Sequence, residues 1–238
     1  MATKGTLDET VILGFGSGGK GGVGKSTLAV AAARILAEDL RVLLVNSDSV
    51  RTAVRLIKRG RDEHFPFDMA DAVDELDRLP ELRHSNDYDV IVVDLPGTKA
   101  GAFEAMLTGH DGKPIADLLV IPSRAEFIEL EATIESIDTA VIPAGIPYLL
   151  VLNQVPTKRR DRAMQHRETL RNRKNHQPVV VAETLITYSA TYFDAHEAAM
   201  TVIDMPGVHS YARGLEAEQR ALVDEYRTML NLPAARRR

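Results

Sequence analysis

The apolar run "VILGF" (Val11–Phe15) leads into nine residues, six of them glycine, which pass directly into the alanine-rich stretch "KSTLAVAAARILAED". Few folds are open to a chain that turns through so many glycines between a strand-like run and a helix-like run. Gly19, Gly24, Lys25 and Ser26 satisfy G-x-x-x-x-G-K-[ST], and the strand and helix that this motif requires lie on either side of it. Glycines let successive backbone N–H groups curl inward, and the helix beginning near Lys25 adds its positive end. A di- or triphosphate fits such a cradle. The nucleotide-binding candidates are therefore Gly19, Lys20, Gly21, Gly22, Val23, Gly24, Lys25, Ser26 and Thr27. Lys25 would reach the outer phosphates and the Ser26 hydroxyl would bind Mg²⁺. Gly14, Gly16 and Gly19 also match the G-x-G-x-x-G dinucleotide fingerprint. That pattern wants an acid at the end of the second strand, where Asn46 stands, and a helix that opens on the third glycine.

Apolar runs on consecutive positions recur along the chain: "RVLLVN" (41–46), "DVIVVDL" (89–95), "DLLVIP" (117–122), "PYLLVLN" (147–153) and "PVVVAE" (178–183). Strands covered on both faces read this way. Between them lie segments with helical spacing, among them "AEFIELEATIESIDTAVIPAG" and "RDRAMQHRETLRNRKN". The alternation predicts an α/β fold, a mostly parallel twisted sheet flanked by helices on both faces. "LPELRHSND" and "TGHDGKP" read as surface connections. A length of 238 residues suits a single domain, 1–238, with 1–9 and 232–238 expected to be flexible. Cysteine is absent, which excludes disulfides, iron–sulfur ligation and thiol catalysis. No run approaches the roughly 20 apolar residues of a membrane span, so a cytoplasmic protein with no membrane partner is expected.

A phosphate cradle needs carboxylates near its metal, and "VIVVDLPG" supplies Asp94 at the carboxyl end of a buried strand. Asp94 would hold Mg²⁺ directly or through water, or simply cap the strand end. From Lys158 to Lys174 eight basic residues face only Asp161 and Glu168, a local surplus of six on a chain of net charge −5. Helical spacing puts Arg160, Arg167, Arg171 and Lys174 near one face, with Lys158 and Arg159 beside them. Such a stripe can neutralise phosphates without reading bases, or be an ordinary solvated helix.

Within the loop, K-G-G-V-G-K-S (Lys20–Ser26) resembles the deviant Walker A P-loop NTPases, the ParA and MinD partition ATPases and their relatives. The resemblance implies that Lys20 reaches the nucleotide of a second subunit, so that a homodimer formed on ATP binding encloses two ATP molecules with Mg²⁺. Lys20, Lys25 and Asp48 are then the catalytic candidates. Asp48 matches the second acid of the family's D-x-D-P switch, the one that orients the attacking water, while Asn46 and Ser49 replace the first acid and the proline. Asp48 can equally cap the helix that follows it. "LLVLNQV" resembles the family segment in which Asn153 would touch adenine, although a buried asparagine closing a turn fits as well.

The same resemblance implies an ATPase that binds nonspecific nucleoid DNA as a dimer and is stimulated by a ParB-like centromere-binding protein. Only about ten residues precede the first strand, as in the short, plasmid-type ParA proteins. A MinD-like positioning ATPase and a metabolic enzyme of the dethiobiotin synthetase type are the alternatives. The former wants an amphipathic carboxyl terminus, where this chain has "NLPAARRR"; the latter does not usually keep the Lys20 lysine.

Overall fold

A computed structural model describes residues 9–17, 21–73, 76, 79–85, 87–97, 106, 112–174, 176–205 and 210–235. The strands are β1 (Val11–Phe15), β2 (Val42–Asn46), β3 (Asp68–Asp71), β4 (Val90–Asp94), β5 (Leu118–Arg124) and β6 (Tyr148–Asn153). They pair in parallel in the order β3-β2-β4-β1-β5-β6. The helices are α1 (Lys25–Leu36), α2 (Thr52–Arg59), α3 (Leu79–His84), α4 (Phe127–Ser136), α5 (Arg160–Arg171), α6 (Thr191–Glu197) and α7 (Ser210–Met229). A π-helical turn, Ile137–Val141, extends α4.

The strands are apolar at every position because their alternate residues enter two different cores. Leu13, Phe15, Leu44, Val92 and Val120 pack on one side of the sheet, with α1 and α7; Ile12, Val45, Ile91, Val93 and Ile121 pack on the other, with α4 and α5. Ala29, Ala31, Ala32 and Ala33 are buried on α1, where short side chains let the helix lie close to the strands. Tyr226 of α7 meets Phe15 edge-on at 5.9 Å between ring centroids, fixing the last helix to the central strand.

Two elements differ from the sequence expectation. "PVVVAE" is no strand: it lies beside β6 and touches it through single bridges, Leu150 to Val181 and, further on, Val155 to Thr187. Pro178 has no N–H to give a ladder, which accounts for part of the interruption. The sixth strand is instead "DMAD", an edge strand with one neighbour and only two apolar residues, too polar to read as covered on both faces. "LPELRH", expected as a connection, forms α3, anchored by buried Leu79. Of "TGHDGKP", residues 108–111 lie outside the described residues. Pro122 is tolerated in β5 because the pairing with β1 ends at Val120, so its missing N–H faces no partner there.

Strand β1 lies between β4 and β5, with α1 on one face of the sheet and α4 on the other. Connections therefore diverge on either side of β1, and the crevice at its carboxyl end is where a ligand of such a sheet binds.

Candidate nucleotide site

The glycine loop opens into that crevice, a cavity of about 610 Å³ lined by Gly22, Lys25, Ser26, Asp48 and Asn153, among others. This volume is within the range of small-molecule sites. Gly22 and Gly24 have φ of 75° and 89°, the left-handed region in which glycine carries no Cβ penalty. At Gly24 close approach adds to this, since a Cβ would stand 2.3 Å from Asn153 Nδ2. Asn153 Nδ2 donates to Val23 O at 2.7 Å, and its Oδ1 accepts from Gln154 N at 2.9 Å. The asparagine thus ties the end of β6 to the glycine loop. Gly22 O receives Gln154 Nε2 at 2.9 Å and Arg124 Nη2 at 3.4 Å, and Arg124 Nε donates to Gln154 Oε1 at 2.8 Å. Arg124 and Gln154 were not among the sequence candidates. They sit at the carboxyl ends of the neighbouring strands β5 and β6, and only the parallel register brings them to the loop.

Helix α1 begins at Lys25, and no side chain caps its amino end among the described residues. Its first N–H groups are therefore available to an anion in the cavity. Lys25 is 6% exposed; burial lowers its pKa, and the nearby Asp94 and Asp48 carboxylates oppose that shift. Asp94 is fully buried, and burial pushes its carboxyl up to about 7, against the pull of the Ser26 hydroxyl and the Lys25 ammonium. Ser26 stands close enough to favour the ionised form, and among the described residues neither Asp94 oxygen has a hydrogen-bond partner of good geometry. Beside it in the register, buried Asn46 also leaves Oδ1 without a hydrogen-bond partner among the described residues. Orphaned oxygens this deep are costly unless a cation or its water shell completes them. The donor set, one carboxylate, one hydroxyl and one amide oxygen, suits a hard cation such as Mg²⁺.

Asp48 lines the cavity, and its Oδ1 accepts Val50 N–H at 2.9 Å. It makes this turn ahead of α2 but is not the cap, which is Arg51 in the left-handed conformation. Aromatic lining comes from Tyr188 and, on α6, Tyr192 and Phe193. None of these three was among the sequence candidates; their clustering within six residues was the available signal. Lys20 and Gly19 lie outside the described residues.

The description "CobQ/CobB/MinD/ParA nucleotide binding domain" (CbiA) matches residues 16–202. The chain belongs to this family. It is thus a nucleotide-binding ATPase of the ParA/MinD type. It is 32% identical over 211 residues, 87% of this chain and 90% of the relative, to the maintenance of carboxysome distribution protein A of Gloeobacter kilaueensis. Among solved structures it resembles MinD in the MinC:MinD cell division complex of Aquifex aeolicus, with TM-score 0.66 and 19% identity over 96% of this chain and 98% of that one. It also resembles a plasmid partition protein of Borrelia burgdorferi bound to AMPPNP, with TM-score 0.63 and 17% identity over 91% and 99%. The ParA/MinD-type sheet is therefore the architecture the sequence resemblance implied.

In the basic segment of this ParA/MinD-type chain, the arginines that spacing placed on one face are engaged in ion pairs. Arg160 pairs with Glu218 at 2.9 Å, Arg167 with Glu183 at 3.3 Å, and Arg171 with Glu183 at 2.6 Å. Arg173 pairs with Asp138 at 2.8 Å and Arg159 with Glu126 at 3.7 Å. Four outside acids, Glu126, Asp138, Glu183 and Glu218, thereby reduce the surplus of six to two. Lys158, Arg159, Arg162 and Lys174 remain exposed. Among the described residues no helix is long and apolar enough to cross a membrane.

Proposed function

We propose that the chain is an ATP-driven positioning ATPase that alternates between a DNA-held dimer and a free protomer. ATP occupies the cavity, with its phosphates in the loop from Gly19 to Thr27 and its base toward Asn153 and the aromatic wall. Lys25 holds the outer phosphates, Asp48 orients the attacking water, and Lys20 reaches the nucleotide of the second copy. Ser26, Asp94 and the Asn46 amide oxygen would hold Mg²⁺, which neutralises charge on the terminal phosphates. The dimer rests on nonspecific DNA through exposed Lys158, Arg159, Arg162 and Lys174, aided by the paired Arg160, Arg167 and Arg171. A ParB-like partner bound to the cargo speeds hydrolysis and releases the dimer. The observation that carries this reading is the buried Asp94 carboxyl close to Lys25 and Ser26, whose oxygens have no hydrogen-bond partner among the described residues.

Two cargoes fit this cycle. A centromere-bound plasmid or chromosome follows from the partition-type loop; a protein body is favoured by the identity to a protein named for carboxysome distribution, which extends over 87% of the chain. Retention on nonspecific DNA tests the cycle itself: retention with ATP and release with ADP is expected, and equal behaviour with both nucleotides would refute it. Lys20→Ala should spare ATP binding and abolish partner-stimulated turnover. Unchanged stimulated turnover would remove Lys20 from the site.

A further inference from the structure

The turn that carries Asp48 is closed by a ring of four residues. Asn46 Nδ2 donates to Asp48 O at 3.0 Å and to Asp71 Oδ1 at 2.9 Å. Arg51 N donates to the same Asp48 carbonyl at 2.9 Å, and Arg51 Nε meets Asp71 Oδ2 at 2.8 Å. Asp71 ends the edge strand β3, and the register sets it directly beside Asn46. We propose that Asp71 is a positioning residue for hydrolysis: its carboxylate ties Asn46 to Arg51 and so fixes where the Asp48 side chain stands in the cavity.

Three observations carry this. Arg51 holds φ 56° and ψ 36°, which a non-glycine residue adopts rarely and keeps only when its surroundings enforce it. Its side chain, 54% exposed, gains little stability from a surface ion pair, so the Asp71 contact acts on the shape of the turn more than on the fold. Asn46 is fully buried, and its amide is the chemical match for an acid at position 71. Both amide hydrogens are used inside the ring, and no proline stiffens residues 47–50. An aspartate at position 46 would instead face the Asp71 carboxylate and the Asp48 carbonyl with no hydrogen to give either. The asparagine and the edge-strand acid are thus a matched pair, an amide on β2 opposite a carboxylate on β3.

The inference rests on the proposed role of Asp48 and is tested together with it. Steady-state ATP hydrolysis and affinity for a fluorescent ATP analogue are measured for the wild-type chain, Asp48→Ala, Asp71→Asn, Asn46→Asp and the double variant Asn46→Asp/Asp71→Asn, with folding checked by circular dichroism. A displacement of about 1 Å at a positioned group can cost roughly a hundredfold in rate. On that scale Asp71→Asn is expected to lower kcat about tenfold with analogue Kd within about twofold, and Asn46→Asp, which also alters the oxygen offered to Mg²⁺, about a hundredfold. The double variant, with an amide again opposite a carboxylate, should recover at least about tenfold over Asn46→Asp. Asp48→Ala without loss of hydrolysis would overturn the role of Asp48 and with it the clamp. Loss with Asp48→Ala, but kcat unmoved by either Asp71→Asn or Asn46→Asp, overturns the clamp alone. So does a double variant no faster than Asn46→Asp.

Discussion

Two positions at the site respond to exchange in opposite directions, each for its own physical reason. Gly24 combines φ 89° with a Cβ direction occupied 2.3 Å away by Asn153 Nδ2. Gly24→Ala should therefore cost about 1–3 kcal/mol of stability and weaken binding of a labelled ATP analogue by more than about tenfold, measured by thermal melting and titration. Wild-type affinity would mean that the loop does not need this conformation. Asp94 is held protonated up to about 7 by burial, well above its ordinary 3.8. The folded state thus binds its proton more tightly than the unfolded chain, so its contribution to stability is intact below the ordinary value and declines as pH rises toward 7. Nucleotide-free Asp94→Asn should then be more stable than the parent by about 1–3 kcal/mol at pH 8, and the difference should shrink between pH 7 and 5. A difference independent of pH would mean that Asp94 is not desolvated. Lys25, Ser26 and Asp94 were legible from local spacing, because loop and strand end carry their own signatures. Asp71, Arg124 and Gln154 were not, because they meet the site from strands whose neighbours no local pattern names.

At the scale of elements, the last helix is tied to the first. Arg227 of α7, 3% exposed, pairs with Asp39 just beyond α1 at 2.6 Å and also donates to Pro233 O at 2.6 Å. A buried pair is costly to break from one side, because the remaining charge has no solvent to turn to. Asp39→Ala should lower the stability measured by urea denaturation by about 3 kcal/mol, and adding Arg227→Met should restore part of it. A single-variant loss under about 0.5 kcal/mol would place the pair in solvent. The same scale explains where the sheet departs from the apolar pattern of the sequence. β3 takes its strand conformation from one neighbour, β2, so its own residues carry no two-faced apolar run. "PVVVAE" has such a run, with Val179 and Val181 buried, but pairs with β6 at isolated points. Burial and pairing are separate requirements, and the sequence pattern reports only the first.

At the scale of the whole molecule, the charge available to DNA is decided by who already holds it. Reversal of Lys158, Arg162 and Lys174 to Glu should weaken binding of nonspecific DNA by at least about tenfold at fixed salt, with ATP affinity unchanged, by filter binding. Arg171→Glu should chiefly lower the melting temperature, since its guanidinium bonds Glu183 and Val181 O. DNA binding insensitive to the triple change would move the interface elsewhere. The chain's linear order fixed the glycine loop after a buried strand, the lysine and hydroxyl at the start of a helix, the acid at a strand end and the parallel α/β class, because each is a local rule of periodicity or backbone freedom. Tertiary structure alone decided that Asn153 supports the loop, that Arg160, Arg167 and Arg171 turn toward acids distant in the chain, and that an acid on an edge strand completes the turn of Asp48. Those contacts join residues from 12 positions apart (Arg171 and Glu183) to 130 (Asn153 and Val23), and side-chain pairing over such distances is set by strand order and register, which no stretch of sequence specifies by itself.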